Sequence, residues 1–155
     1  MKVLFVCTGN TCRSPMCEAY FRRLCEKAGR NDISVSSAGT FAGEGQPASS
    51  GSLEIMKRHG IDISGHRSRP LDIEEIRNAD IIIALTSAHR MQVGRMLPSA
   101  LARTHLLLEY IFRKEADVND PAGGDTCVYD DCFEEMKPAL ENLLLDIMKN
   151  NNNLS

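Results

Sequence analysis

Residues 3–15 read Val3-Leu4-Phe5-Val6-Cys7-Thr8-Gly9-Asn10-Thr11-Cys12-Arg13-Ser14-Pro15. Val3–Val6 is a short apolar run rich in β-branched and aromatic side chains, the pattern of a strand buried on both faces inside a parallel sheet. The strand ends at Cys7. Thr8, Gly9, Asn10, Thr11 and Cys12 follow, and Gly9 and Asn10 tolerate the left-handed backbone needed to turn successive N–H groups inward. Such a concavity binds oxyanions. Ser14 then Pro15 reads as a hydroxyl N-cap and a proline at the first helical position, which sets the loop on the positive end of a helix. Cys7 stands at one end of this cradle and Arg13 at the other, five residues between them. The inward N–H groups and the helix end are expected to lower the thiol pKa and make a nucleophile. Arg13 offers two phosphate oxygens a bidentate fork, a pairing better suited to attack on phosphorus than on a carbonyl.

The spacing alone carries little. Cys17-Glu18-Ala19-Tyr20-Phe21-Arg22-Arg23 repeats it, but without glycine and within a helical pattern whose N–H groups are consumed by the helix.

Outward from the loop, Cys17, Phe21, Leu24 and Ala28 recur at helical spacing, so Met16–Ala28 is an amphipathic helix closed by Gly29. Ile33–Ser37 alternates and reads as an edge strand. Gly39–Gly51 holds four glycines and one proline, a surface loop. Pro47 is the expected opening of a helix that stops at Gly60. Asp72 caps a short helix through Arg77. Asp80–Leu85 is a second doubly buried strand, followed by a helix over Ser87–Leu97 that Pro98 ends. His105–Leu108 is a fourth strand, Arg113–Thr126 a long loop, Asp130–Lys149 a closing helix and Asn150–Ser155 a frayed tail. Strands alternating with helices give a parallel α/β fold with right-handed crossovers, and ligands of such sheets bind beyond the carboxyl ends of the strands.

The stretch Cys7-Thr-Gly-Asn-Thr-Cys-Arg-Ser-Pro15 at the end of an N-terminal strand resembles the phosphate loop of the low-molecular-weight protein tyrosine phosphatases, including their protein-arginine-phosphatase branch. Ser37-Ala38-Gly39, His66-Arg67-Ser68 and Asp120-Pro121 fall where that family has its landmarks, so the resemblance spans nearly the whole chain. It implies one domain over 1–155, a three-layer α/β sandwich with a central four-stranded parallel sheet, and hydrolysis of phosphorylated protein side chains through a thiophosphate on Cys7. Arg13 and the loop residues Thr8, Gly9, Asn10, Thr11 and Cys12 would bind the phosphate. Asp120 would protonate the leaving group, with nearby Asp117 a solvated charge. Asn10, Ser14, Ser37 and His66 would hold the loop by hydrogen bonds. Three positions bear on substrate. Thr11 stands where the tyrosine branch usually has a branched aliphatic and the arginine branch has threonine. Ala122 replaces the aromatic that commonly follows Asp-Pro, removing a stacking contact of roughly 0.5–1.5 kcal/mol, and Phe41 is the aromatic left to form a wall. Phosphoarginine is therefore slightly favoured over phosphotyrosine.

A chain of 155 residues with 43% hydrophobic and 25% charged content has ordinary globular composition. A net charge of −3 gives no reason to expect nucleic acid. Neither a signal-peptide pattern nor a run long enough to cross a bilayer is seen, so no membrane partner and a cytoplasmic location are expected. Nothing in the sequence sets an oligomeric state, and a monomer is the expectation. Six cysteines suit a reducing compartment rather than a disulfide framework. Cys7 and Cys12 form a candidate reversible disulfide under oxidation. Cys127 and Cys132 share their spacing, which raises zinc for the four, but Cys-x2-Cys spacings are absent and no metal or cofactor is expected. His59, His89 and His105 offer no convincing ligand set. An arsenate reductase or a phospho-binding carrier would use the same loop, although Arg13 and Asp120 argue for phosphate turnover.

Overall fold

The computed structural model describes residues 1–152. Four strands, β1 (Lys2–Cys7), β2 (Ser34–Gly39), β3 (Ile81–Ala84) and β4 (Thr104–Leu106), form one parallel sheet in the order β2-β1-β3-β4. The central position of β1 and the edge position of β2 are those the hydrophobic pattern requires. Around the sheet lie α1 (Arg13–Lys27), α2 (Ser50–Arg58), α3 (Ile73–Asn78), α4 (Ser87–Met96), α5 (Glu109–Phe112) and α6 (Thr126–Asn152).

Alternation along β1 divides the core in two. Val3, Phe5 and Cys7 face α1 and α6, where Phe21, Met136, Leu140 and Leu143 are buried with them. Phe5 meets Phe21 edge to face at 5.6 Å, a favoured aromatic geometry. Leu4 and Val6 face the other layer, against Ile76, Val93 and Ala100. Helices cover both faces, as parallel sheets require.

Several expectations need correction. The first helix begins at Arg13, not after Ser14; Cys12 is its N-cap and makes no side-chain capping bond. Pro15 occupies the third helical position, where the missing N–H is still one of the unpaired donors of the first turn. Pro47 does not open α2; Ser49 does, its hydroxyl accepting from the Ser52 N–H. Pro98 ends α4 but starts a 3₁₀ turn over Pro98–Arg103, and α5 lies at the edge of the expected 113–126 loop. Most of the difference lies in α6. Asp125 accepts from the Val128 N–H at 3.2 Å, so the helix starts at Thr126, before the expected Asp130. It passes through Pro138 and continues to Asn152, where a frayed tail was expected from Asn150; residues 153–155 lie outside the described residues.

Candidate active site

The loop between β1 and α1 is built on Asn10. Its φ of 55° is the left-handed conformation that asparagine adopts more readily than most side chains, and this residue is fully buried. Its amide orientation is fixed by donors around it. Oδ1 accepts from the Arg69 N–H at 3.0 Å, so Nδ2 faces the other way and donates to Ser14 Oγ at 2.8 Å and Ser37 Oγ at 2.9 Å. Ser14 Oγ, already an acceptor, turns its own hydrogen to Cys7 Sγ at 2.8 Å. Ser37 passes its hydrogen to Glu18, and His66 Nε2–H donates to the Asn10 carbonyl at 2.7 Å. Asn10, Ser14, Ser37 and His66 thus meet in one network, while the hydroxyl expected to cap α1 is spent on the thiol.

The loop is closed in by its neighbours. The Thr40 and Phe41 N–H groups donate to the carbonyls of Cys7 and Thr8. A Cβ on Gly39 would lie 2.4 Å from the Thr8 carbonyl oxygen, so only glycine lets β2 approach this closely. Ser49 N–H donates to the Thr11 carbonyl and the Ser52 hydroxyl to the Cys12 carbonyl. Cys12 Sγ lies 3.3 Å from the Tyr129 hydroxyl.

The thiol does not have the lowered pKa expected from the helix end. Burial pushes Cys7 up, and the Ser14 hydroxyl and N–H, the Arg13 guanidinium and the Asn10 N–H oppose it. Cys7 is enclosed in the apolar layer of β1, and desolvating a thiolate costs more than these donors return. Each of these groups favours the charged form.

Arg13 is buried beside it. Nη1 donates to the Val118 carbonyl at 2.9 Å, Nη2 lies 3.5 Å from Thr8 Oγ1 and 3.6 Å from Asp120 Oδ2. Nε is buried with no hydrogen-bond partner among the described residues. A buried donor left unpaired is costly, and an oxyanion cradled by the loop would satisfy it. Val118 N–H in turn donates to the Leu85 carbonyl, docking the 113–125 loop on the end of β3. That brings Asp120 to the site, with Oδ1 accepting from the Ala122 N–H at 3.0 Å and half its side chain exposed. Asp117 is not a free solvated charge: it accepts from the Ser87 N–H at 2.8 Å, at the start of α4.

Phe41 is 88% exposed at the rim. Thr11 is partly buried, and Ala122 is exposed beside Asp120. A cavity of about 650 Å³ opens behind the loop along Glu18, Arg22, His66 and Arg69; it includes neither Cys7, Arg13 nor Asp120. The four cysteines considered for zinc have separate surroundings: Cys7 under Ser14, Cys12 against Tyr129, Cys132 near the Asn119 carbonyl, Cys127 exposed. His59, Asp130 and Glu134 bring ligand atoms within 4.8 Å of one another, but the loop uses none of them. The residue that sequence reasoning missed is His89, whose Nε2 lies 2.8 Å from Thr8 Oγ1.

The family sequence model for low molecular weight phosphotyrosine protein phosphatases matches residues 2–153. The chain belongs to that family. This phosphatase is 35% identical to the Bacillus subtilis protein-arginine-phosphatase over 96% of its own length and 98% of that protein. It is 36% identical to the low molecular weight phosphotyrosine protein phosphatase of Schizosaccharomyces pombe, covering 95% and 97% of the two chains. Among solved structures, a YwlE arginine phosphatase C7S mutant with a phosphorylated active-site serine superposes with a TM-score of 0.91, at 34% identity and covering 96% and 97% of the two chains. Among the described residues no helix is long and apolar enough to cross a membrane.

Proposed function

We propose that the chain is a cysteine-dependent protein phosphatase, a single domain acting on phosphorylated side chains, with phosphoarginine favoured over phosphotyrosine. The observation that carries the reaction is the Cys7 thiol, held by Ser14 and facing a buried Arg13 whose Nε has no partner. The Cys7 thiol passes its proton to a phosphoryl oxygen of the dianionic substrate, the resulting thiolate attacks phosphorus in line as the bond to the side-chain nitrogen or oxygen breaks, and Asp120 gives the leaving atom its proton. Arg13 and the loop N–H groups take the charge on the equatorial oxygens. Water then attacks the phosphocysteine, Asp120 carboxylate receives the water proton, and Cys7 leaves as a thiolate that the Ser14 hydroxyl stabilises. The C7S relative named with a phosphorylated serine supports covalent transfer to the position of Cys7.

Overall identity does not separate the substrates, since arginine- and tyrosine-phosphatase relatives stand at 35% and 36%. The preference rests on Thr11, on Ala122 in place of an aromatic, and on Phe41 as the remaining wall. Matched phosphoarginine and phosphotyrosine peptides test it, with Cys7→Ser as the blank. The expected result is a higher kcat/KM for phosphoarginine, shifted toward phosphotyrosine by Thr11→Ile. A preference for phosphotyrosine in the unaltered chain would remove Thr11 and Ala122 as specificity determinants.

A further inference from the structure

His89 stands in the first turn of α4, 4% exposed, in no role that the reaction above requires. Its surroundings set its protonation. The Thr86 oxygen that caps α4 accepts from the His89 backbone N–H at 3.3 Å and also lies 3.1 Å from Nδ1. With its oxygen accepting, Thr86 has a hydroxyl hydrogen to give, and Nδ1 is the acceptor in reach. The ring is neutral: burial, then the Arg13 guanidinium, lower its pKa to about 4 against the opposing Asp117 and Asp120. A neutral imidazole has one N–H. If Nδ1 accepts, that N–H is on Nε2 and donates to Thr8 Oγ1 at 2.8 Å. Arg13 Nη2 approaches the same oxygen at 3.5 Å. Two donors then converge on the Thr8 oxygen, and its hydroxyl hydrogen turns away from both.

Thr8 is exposed at the mouth of the loop, next in sequence to Cys7. A phosphoryl group bound by Arg13 would present an acceptor to this hydrogen. We propose that His89 is a positioning residue whose Nε2–H directs the Thr8 hydroxyl, making Thr8 a side-chain donor to the phosphoryl group in addition to the backbone cradle. A neutral ring suits this place because a second cation beside Arg13 would compete for Asp120. The proposal rests on the phosphatase reading of the loop and adds to it a polar relay, Thr86 to His89 to Thr8, that brings the end of β3 into the site.

The opposite polarity, Thr8 donating to Nε2 with the ring proton on Nδ1, would leave Thr8 unable to serve the phosphate. Long-range proton–nitrogen correlation spectra of the ¹⁵N-labelled full chain with inorganic phosphate distinguish the two. The Nε2–H tautomer is expected; the Nδ1–H tautomer in the phosphate-bound protein would overturn the proposal. Kinetics supply the second test. His89→Leu and Thr8→Val should each lower kcat/KM by roughly tenfold, the scale of one hydrogen bond to a charged group. His89→Gln, which keeps an N–H donor, should recover most of the loss, and Thr8→Val/His89→Leu should be no worse than Thr8→Val. Additive losses, or His89→Gln as impaired as His89→Leu at matched Tm, would overturn it. Should His89→Leu fail to fold, His89→Gln, Thr8→Val and the tautomer measurement still decide. Failure of the unaltered chain to release phosphate above the Cys7→Ser blank would sink the phosphatase reading instead, and the tautomer would still report on His89.

Discussion

At Cys7 two effects oppose each other, and burial prevails. The Ser14 hydroxyl is the strongest of the donors that counter it, and its hydrogen is aimed at sulfur because Asn10 already donates to its oxygen. Ser14→Ala should therefore raise the thiol pKa further and slow iodoacetate alkylation near neutral pH by roughly tenfold; an unchanged rate would mean that the hydroxyl does not stabilise the thiolate. Asp120 makes a different prediction. Asp120→Ala should cost on the order of a hundredfold in turnover of phosphopeptides with poor leaving groups, and far less with an activated aryl phosphate. Equal losses on both would remove its acid role. The loop that joins Cys7 to Arg13 was legible because glycine and asparagine mark it, whereas Asp120, before a proline that alone signals only a turn, was singled out by the family resemblance. His89 was not legible, since an isolated histidine has no pattern; the one available signal was threonine three residues before it at a strand-to-helix junction. Only the capping role read for Ser14 failed, because Ser-Pro is also a helix-start signature; its place in the network that holds the loop is where the family resemblance puts it.

Helix starts decide where the loop's carbonyl groups are held. Ser49 caps α2 through the Ser52 N–H and also donates its hydroxyl hydrogen to Ser52 Oγ at 3.0 Å, while Ser52 itself donates to the Cys12 carbonyl. Ser49→Ala should cost about 1 kcal/mol, a fall in Tm of about 2–4 °C for a chain of this size. Phosphate release should survive below that Tm, because the Ser49 to Thr11 bond is backbone to backbone. Loss of turnover with an unchanged Tm would show that the cap serves the loop rather than the helix. The same elements show where sequence reading stops. The doubly buried strands were legible from their unbroken apolar runs, and Asp72 from its capping position. Pro47 misled: proline often begins a helix, yet here a serine two residues later caps α2. Pro138 did not, since the apolar periodicity carries the closing helix through it, and in α6 packing outweighs the lost hydrogen bond.

All four strands run in one direction, so their carboxyl ends lie on one edge and each leads toward a part of the site. β1 supplies Cys7, β2 the close approach at Gly39, β3 the His89 turn, and the chain beyond β4 returns as the loop carrying Asp120. This arrangement ties acid stability to the site. Folded His89 titrates near 4, an exposed histidine near 6.5. Between those values the unfolded chain binds a proton that the folded chain excludes, so stability is retained above about 6.5 and lost as pH falls toward 4, with a ceiling of about 3 kcal/mol from this group. Asp32 acts in a lower window: Arg30 holds its pKa down to about 2, so its contribution fades only below the ordinary carboxylate range. Denaturant midpoints taken across pH 7 to 4 should fall in the unaltered chain, and His89→Gln, which cannot titrate, should flatten that decline. Parallel curves for the two proteins would mean that His89 is not held neutral in the fold, and the Nε2–H assignment to Thr8 would fall with it.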